Sequence, residues 1–150
     1  MAFEKHNSRK FIYLADDDSD DRDFFADALL ETDPAVVLKQ FQDGMYLMDD
    51  LLAIDPAELP EFIFLDINMP RKTGLECLEE ISSHENLKDL TVIMLSTSND
   101  PDNISTAREL GAAFYAVKPS SFEKLKSLLE DVLRINLMGS IEEKRKFLLQ

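Results

Sequence analysis

The chain has 150 residues, 45% of them hydrophobic and 31% charged, enough for one ordinary domain with its own core and unlike the composition of a disordered segment. Its 30 acids against 16 bases give a net charge of −14, which repels nucleic acid and anionic lipid and argues against direct contact with either. The single cysteine, Cys77, excludes an internal disulfide and a thiolate metal cluster; no stretch reaches the roughly 20 apolar residues of a membrane span, and no signal-like apolar run follows the N-terminus, so a cytoplasmic protein is expected.

In chain order, short apolar runs alternate with amphipathic ones. The first strand is expected at Phe11–Ala15, followed by the helical stripe Phe24, Phe25, Ala28 and Leu29. The second, Val36–Phe41, is interrupted by Lys39 and Gln40 and reads as an edge strand. Met45, Met48, Leu51 and Leu52 form the next stripe. A third strand at Phe62–Leu65 precedes Leu75, Leu78 and Ile81, and a fourth at Thr91–Leu95 precedes Ile104, Ala107 and Leu110. Pro101 suits the first turn of that fourth helix and Gly111 its stop. The fifth strand, Ala113–Val117, leads to a helix bearing Phe122, Leu125, Leu128, Leu129, Val132 and Leu133. Near-continuous Ile, Val and Phe runs are those of strands covered on both faces. The pattern therefore predicts an α/β fold: a doubly wound, five-stranded parallel sheet with helices on both faces, the flavodoxin-like order 2-1-3-4-5 being one of few that right-handed crossovers allow. This domain is expected over 9–136. In the extension, 137–150, Gly139 and Ser140 read as a stop and a fresh N-cap before a short charged helix, whose Ile141, Phe147 and Leu148 would pack on the domain or on a partner, the domain being favoured.

Ligands of open α/β sheets bind beyond the carboxyl ends of the strands. Here strand one ends in Asp16 and Asp17, strand three in Asp66, strand four in Ser96 and strand five in Lys118. Neighbouring strands lie about 4.8 Å apart, so carboxylates ending strands one and three crowd one another, and like charges that close resist ionisation unless a cation intervenes. Mg2+, or Mn2+, suits such a set: a hard ion that takes one or two carboxylates and leaves room for phosphate oxygens. With Lys118 and the Ser96 hydroxyl, these parts fit transfer of a phosphoryl group to a carboxylate, for which Asp66 is the best nucleophile.

These residues resemble the receiver domain of two-component response regulators, over about Arg9 to Leu133. The resemblance rests on the acidic pair Asp16-Asp17, the segment LDINMP at 65–70 with TGLE at 73–76, the hydroxyl of Ser96, and Lys118-Pro119, in the family's order and spacing. It implies that Asp66 is the phosphorylated residue, that Ser96 and Lys118 assist catalytically, and that Asp16, Asp17, Asp66 and the backbone carbonyl of Asn68 hold the metal. It further implies that Tyr115 acts with Ser96 as an aromatic switch, that a cis peptide joins Lys118 to Pro119, and that the face of the fourth helix, fifth strand and fifth helix serves signalling or homodimer formation. The phosphoryl donor would be a sensor histidine kinase or a histidine phosphotransfer protein, and the recipient of the signal a downstream protein target. The chain departs from the common pattern at Ser96, often threonine, and at Ser120, often bulky.

Asp18, Asp20 and Asp21 are expected to cap and charge the start of the first helix. An EF-hand reading of that tract fails because Asp21 stands where the loop needs glycine. An aspartate-based phosphatase would want a general acid at Asn68, which an amide cannot supply. A pseudo-receiver that never carries phosphate predicts a broken acidic site. Cys77 is expected in the core, and His6 and His84 at the surface. After the fifth helix there is no room for an output domain, so the chain is expected to act as a non-enzymatic phosphoacceptor.

Overall fold

The computed structural model describes residues 10–138 and 147–149. Its elements are β1 (Lys10–Ala15), α1 (Ser19–Thr32), β2 (Val36–Phe41), α2 (Gly44–Ala53), a 3-10 turn (Pro56–Glu58), β3 (Phe62–Asp66), α3 (Gly74–Ser83), β4 (Thr91–Ser96), α4 (Pro101–Glu109), β5 (Phe114–Val117), α5 (Phe122–Met138) and β6 (Leu148–Leu149). The strands form one parallel sheet in the order β2-β1-β3-β4-β5-β6. The doubly wound order and the β2 edge are as the pattern predicts. The sixth strand is an addition to it.

Alternation along the buried strands builds two cores. Tyr13, Ile63, Leu65, Val92, Met94 and Tyr115 face α2, α3 and α4, meeting Leu47, Leu51, Leu78, Ile81 and Ala107. Ile12, Leu14, Phe64, Ile93, Leu95 and Ala116 face α1 and α5, meeting Phe25, Leu29, Leu125, Leu129 and Val132. Because side chains point to opposite faces with period two, a one-residue slip in any strand would exchange the two sets.

Helix starts follow local chemistry. Asp18 caps α1 by accepting from the Asp21 N–H, Asp43 caps α2 from Tyr46, and Thr73 with Glu76 forms a full capping box on α3. Pro101 opens α4, and Gly111 beyond its end has φ 103°, a left-handed conformation that glycine adopts without strain. Cys77 is buried, with burial pushing its thiol up to about 12, so it stays a protonated core residue.

β6 lies in the segment expected to form a helix. The Tyr115 N–H donates to the Phe147 carbonyl at 3.0 Å, and the Arg108 guanidinium lies over the Phe147 ring, 4.7 Å from its centre. A two-residue strand carries no period for a sequence to display; the free edge of β5 decides it. Phe147 and Leu148 pack on the domain as expected, whereas Gly139, Ser140 and Ile141 lie outside the described residues. No helix of the described residues is long and apolar enough to cross a membrane.

Candidate functional site

The chain leaves the sheet at Asp16. Its N–H donates to the Phe41 carbonyl at 3.0 Å, extending the β1–β2 ladder by one bond, while Oδ1 accepts from the Asp18 N–H at 3.0 Å and so turns the chain toward α1. The Arg22 guanidinium donates to the Asp16 carbonyl at 2.7 Å. Asp16 is thereby buried and directed, and Asp17 beside it stays exposed. These two stand between β2 and β3, where the strand order reverses.

Asp66 is the last residue of β3 and is buried. Beyond it the Ile67 N–H donates to the Leu95 carbonyl at 3.1 Å, and the Gly74 N–H closes the loop onto the Ile67 carbonyl at 2.8 Å. Glycine is required at 74 by close approach: a Cβ there would collide with the Asp66 carbonyl oxygen and lie 2.8 Å from the Ile67 Cα. Arg71 turns the loop with φ 68°. Its Nε is 3.3 Å from the buried Asp43 carboxylate, and its guanidinium lies 5.3 Å from the Tyr46 ring centre.

Asp66 pairs in register with Leu95, and Ser96 with Val117, so Asp66, Ser96 and Lys118 step across one edge of the sheet. The Lys118 N–H donates to the Ser96 carbonyl at 2.7 Å. Its ammonium lies 2.9 Å from Asp16 Oδ2, 2.9 Å from Asp21 Oδ2 and 3.5 Å from Asp66 Oδ2. Carboxylate oxygens of Asp16, Asp17 and Asp66 lie within 4.8 Å of one another.

The electrostatics follow. Burial is the main reason the Asp66 carboxyl rises from 3.8 to about 7; Lys118 opposes this, Asp16 adds to it, the Asn68 N–H opposes it, and Asp17 adds again. For Lys118, burial alone would lower its pKa, but hydrogen bonds to Asp16 and Asp21 and the charge of Asp66 outweigh it, and the ammonium is held firmly protonated. Three carboxylates thus converge beside one lysine. An all-oxygen, acidic donor set of this kind fits a hard divalent cation and fits neither a soft metal nor an anion.

Ser96 is buried, and its Oγ accepts from the Ser98 N–H at 3.1 Å. The Tyr115 ring is buried too, its hydroxyl donating to the Ser98 carbonyl at 2.7 Å. Asn68 is exposed, with its N–H toward Asp66 Oδ1 at 3.4 Å. One expectation is corrected: the described residues contain no cis peptide bond, so Lys118–Pro119 is trans, the form that X–Pro bonds prefer by about 0.5–1 kcal/mol. Another is extended: Asp18 caps α1 as expected, but Asp21 reaches across to Lys118. A carboxylate in the first turn of a helix reads equally well as a dipole partner, so the sequence could not assign it.

The family model for the response regulator receiver domain matches residues 12–130. Response regulator Rcp1 of Synechocystis sp. is 27% identical over 132 residues, 86% of this chain and 90% of its own length. The probable methanogenesis regulatory protein FilR2 of Methanothrix harundinacea is 35% identical over 97 residues, 63% of this chain; the match likewise spans 63% of that relative's length. The Mn2+-bound form of Rcp1 superimposes with a TM-score of 0.74 at 28% identity, covering 85% of this chain and 94% of that one. The phosphorylated cyanobacterial phytochrome response regulator RcpA does so with 0.76 at 30% identity, covering 83% and 91%.

Proposed function

This chain belongs to the response regulator receiver domain family, and on that premise we propose that it accepts a phosphoryl group on Asp66 in a reaction dependent on Mg2+ or Mn2+. The observation that carries the reading is the convergence of Asp16, Asp17 and Asp66 within 4.8 Å beside the Lys118 ammonium. Receiver domains are signalling proteins. The finer reading is that a sensor histidine kinase or histidine phosphotransfer protein is the donor, and that this chain then binds a downstream protein or passes the group on. Its solved relatives include one bound to Mn2+ and one phosphorylated, and both states are proposed here by analogy.

In this reading the carboxylates of Asp16, Asp17 and Asp66 and the carbonyl of Asn68 hold the cation. When bound, the cation supplies charge neutralisation for the phosphoryl oxygens. An Asp66 carboxylate oxygen attacks phosphorus, and the bond to the donor nitrogen or oxygen breaks in line. Lys118 takes up the negative charge that the new acyl phosphate brings, and Ser96 donates its hydroxyl to one phosphoryl oxygen. The Ser96 hydroxyl oxygen at the same time accepts from the N–H of Ser98, the residue whose carbonyl also anchors Tyr115. That shared loop residue would couple the phosphate to the Tyr115 ring and to the α4–β5–α5 face, which we propose as the surface for a protein partner or a second copy. The acidic charge favours a protein target over nucleic acid. We assign the receiver to 9–136, the remaining 137–150 to an extension, and the protein to the cytoplasm. The amide of Asn68 speaks against an aspartate-based phosphatase.

Incubation with acetyl phosphate and Mg2+ tests the reading by mass spectrometry. Wild type should gain one phosphoryl group and Asp66→Asn none. A gain in the variant, or none in wild type, would refute it.

A further inference from the structure

Lys118 has three donors and three carboxylates around it, but they are not equivalent. Asp16 and Asp21 each hold the ammonium at 2.9 Å, whereas Asp66 lies at 3.5 Å. Asp21 belongs neither to the trio within 4.8 Å nor to any strand end; it reaches in from the first turn of α1, across 97 residues of sequence. Before phosphorylation the lysine is thus held more closely by a helix carboxylate than by the proposed phosphoacceptor.

We propose that Asp21 is a positioning residue that parks Lys118 on the α1 side of the site, so that a phosphoryl group on Asp66 must compete with it for the ammonium. The proposal rests on the reading of Asp66 as the phosphoacceptor and adds to it a residue that sets the strength of the response. Burial decides which partner yields. The Asp16 side chain is 3% exposed and that of Asp21 45%. Stripping Lys118 from Asp16 would leave a buried carboxylate without its ion partner, a large desolvation cost, whereas water readily replaces the ammonium at Asp21. The lysine therefore keeps Asp16, releases Asp21 and turns to the phosphoryl oxygens. A plain staple between α1 and β5 would use the same contact, but it would affect stability alone.

The full chain can separate the two with beryllofluoride, a non-covalent phosphoryl mimic, titrated by fluorine NMR at Mg2+ raised until binding no longer depends on it. Asp21→Asn should bind beryllofluoride about two- to fivefold more tightly than wild type, the range expected for losing a competing, partly exposed ion pair. Asp21→Glu, which keeps the charge, should fall near wild type. In the metal-free protein the side-chain ammonium resonance of Lys118 should shift in Asp21→Asn. Equal or weaker beryllofluoride binding in Asp21→Asn, or an unshifted ammonium, overturns the parking role while wild-type binding leaves the phosphoacceptor reading standing. No binding by wild type overturns both.

Discussion

Replacing Asp66 by Asn should make the metal-free protein more stable, although it removes the group on which the proposed function depends. In the folded chain the carboxyl titrates at about 7 against 3.8 ordinarily. At about 1.4 kcal/mol for each pH unit, holding it ionised at pH 8 costs the native state about 4 kcal/mol. Simple repulsion agrees in scale: two unit charges at the 4.8 Å limit of the cluster repel by about 3.5 kcal/mol at an effective dielectric constant of about 20. Lys118 offsets part of this but is shared with Asp16 and Asp21. Asparagine keeps the shape without the charge, so a net gain of about 2–4 kcal/mol is expected. The sign is fixed by the direction of the shift. A raised carboxyl contributes stability below its unfolded value and loses it as pH rises toward 7, so the advantage of the variant should be largest at pH 8 and shrink toward pH 4. Urea unfolding with a chelator at both pH values measures it. A variant no more stable than wild type at pH 8, or a difference independent of pH, would refute the argument.

Three further outcomes are expected. Mg2+ should stabilise wild type against unfolding, and because cation and proton compete for Asp66, its apparent affinity should fall as pH drops below about 7; calorimetric titration across pH 5.5–8, as an approximate working range, reads this directly. Gly74→Ala should cost more than about 2 kcal/mol and weaken metal binding, since its methyl meets the Asp66 carbonyl and forces the loop to move; thermal melts and the same titration check both effects. Phe147→Ala should cost about 1 kcal/mol through lost packing and the lost contact with Arg108, and should speed hydrogen exchange at the Tyr115 amide, which donates to the Phe147 carbonyl.

Much of the fold was legible in the order of residues because the information is local. Near-continuous apolar runs in the strands, helical stripes between them, Pro101 and Gly111 as punctuation, and the polar interruption at Lys39-Gln40 each report their own element. The strand ends were legible for the same reason, since Asp66 and Ser96 simply terminate apolar runs. β3 and β4 even include them within the ladder, one residue beyond the apolar pattern, because hydrogen bonding continues where hydrophobicity stops.

By itself, then, the sequence determined the doubly wound architecture and the identity of Asp16, Asp17, Asp66, Ser96 and Lys118 as the residues brought to one edge, because each is named by its distance from a hydrophobic run. Only the tertiary structure decided the contacts that join distant segments: the reach of Asp21 to Lys118, the pairing of Arg71 with Asp43, the Ser98 carbonyl that receives Tyr115, and the seating of Leu148–Leu149 on β5. Those depend on which side chains a fold leaves facing one another. A charged residue near a helix start, or a two-residue apolar step near the C-terminus, looks the same in sequence whether or not a partner awaits it.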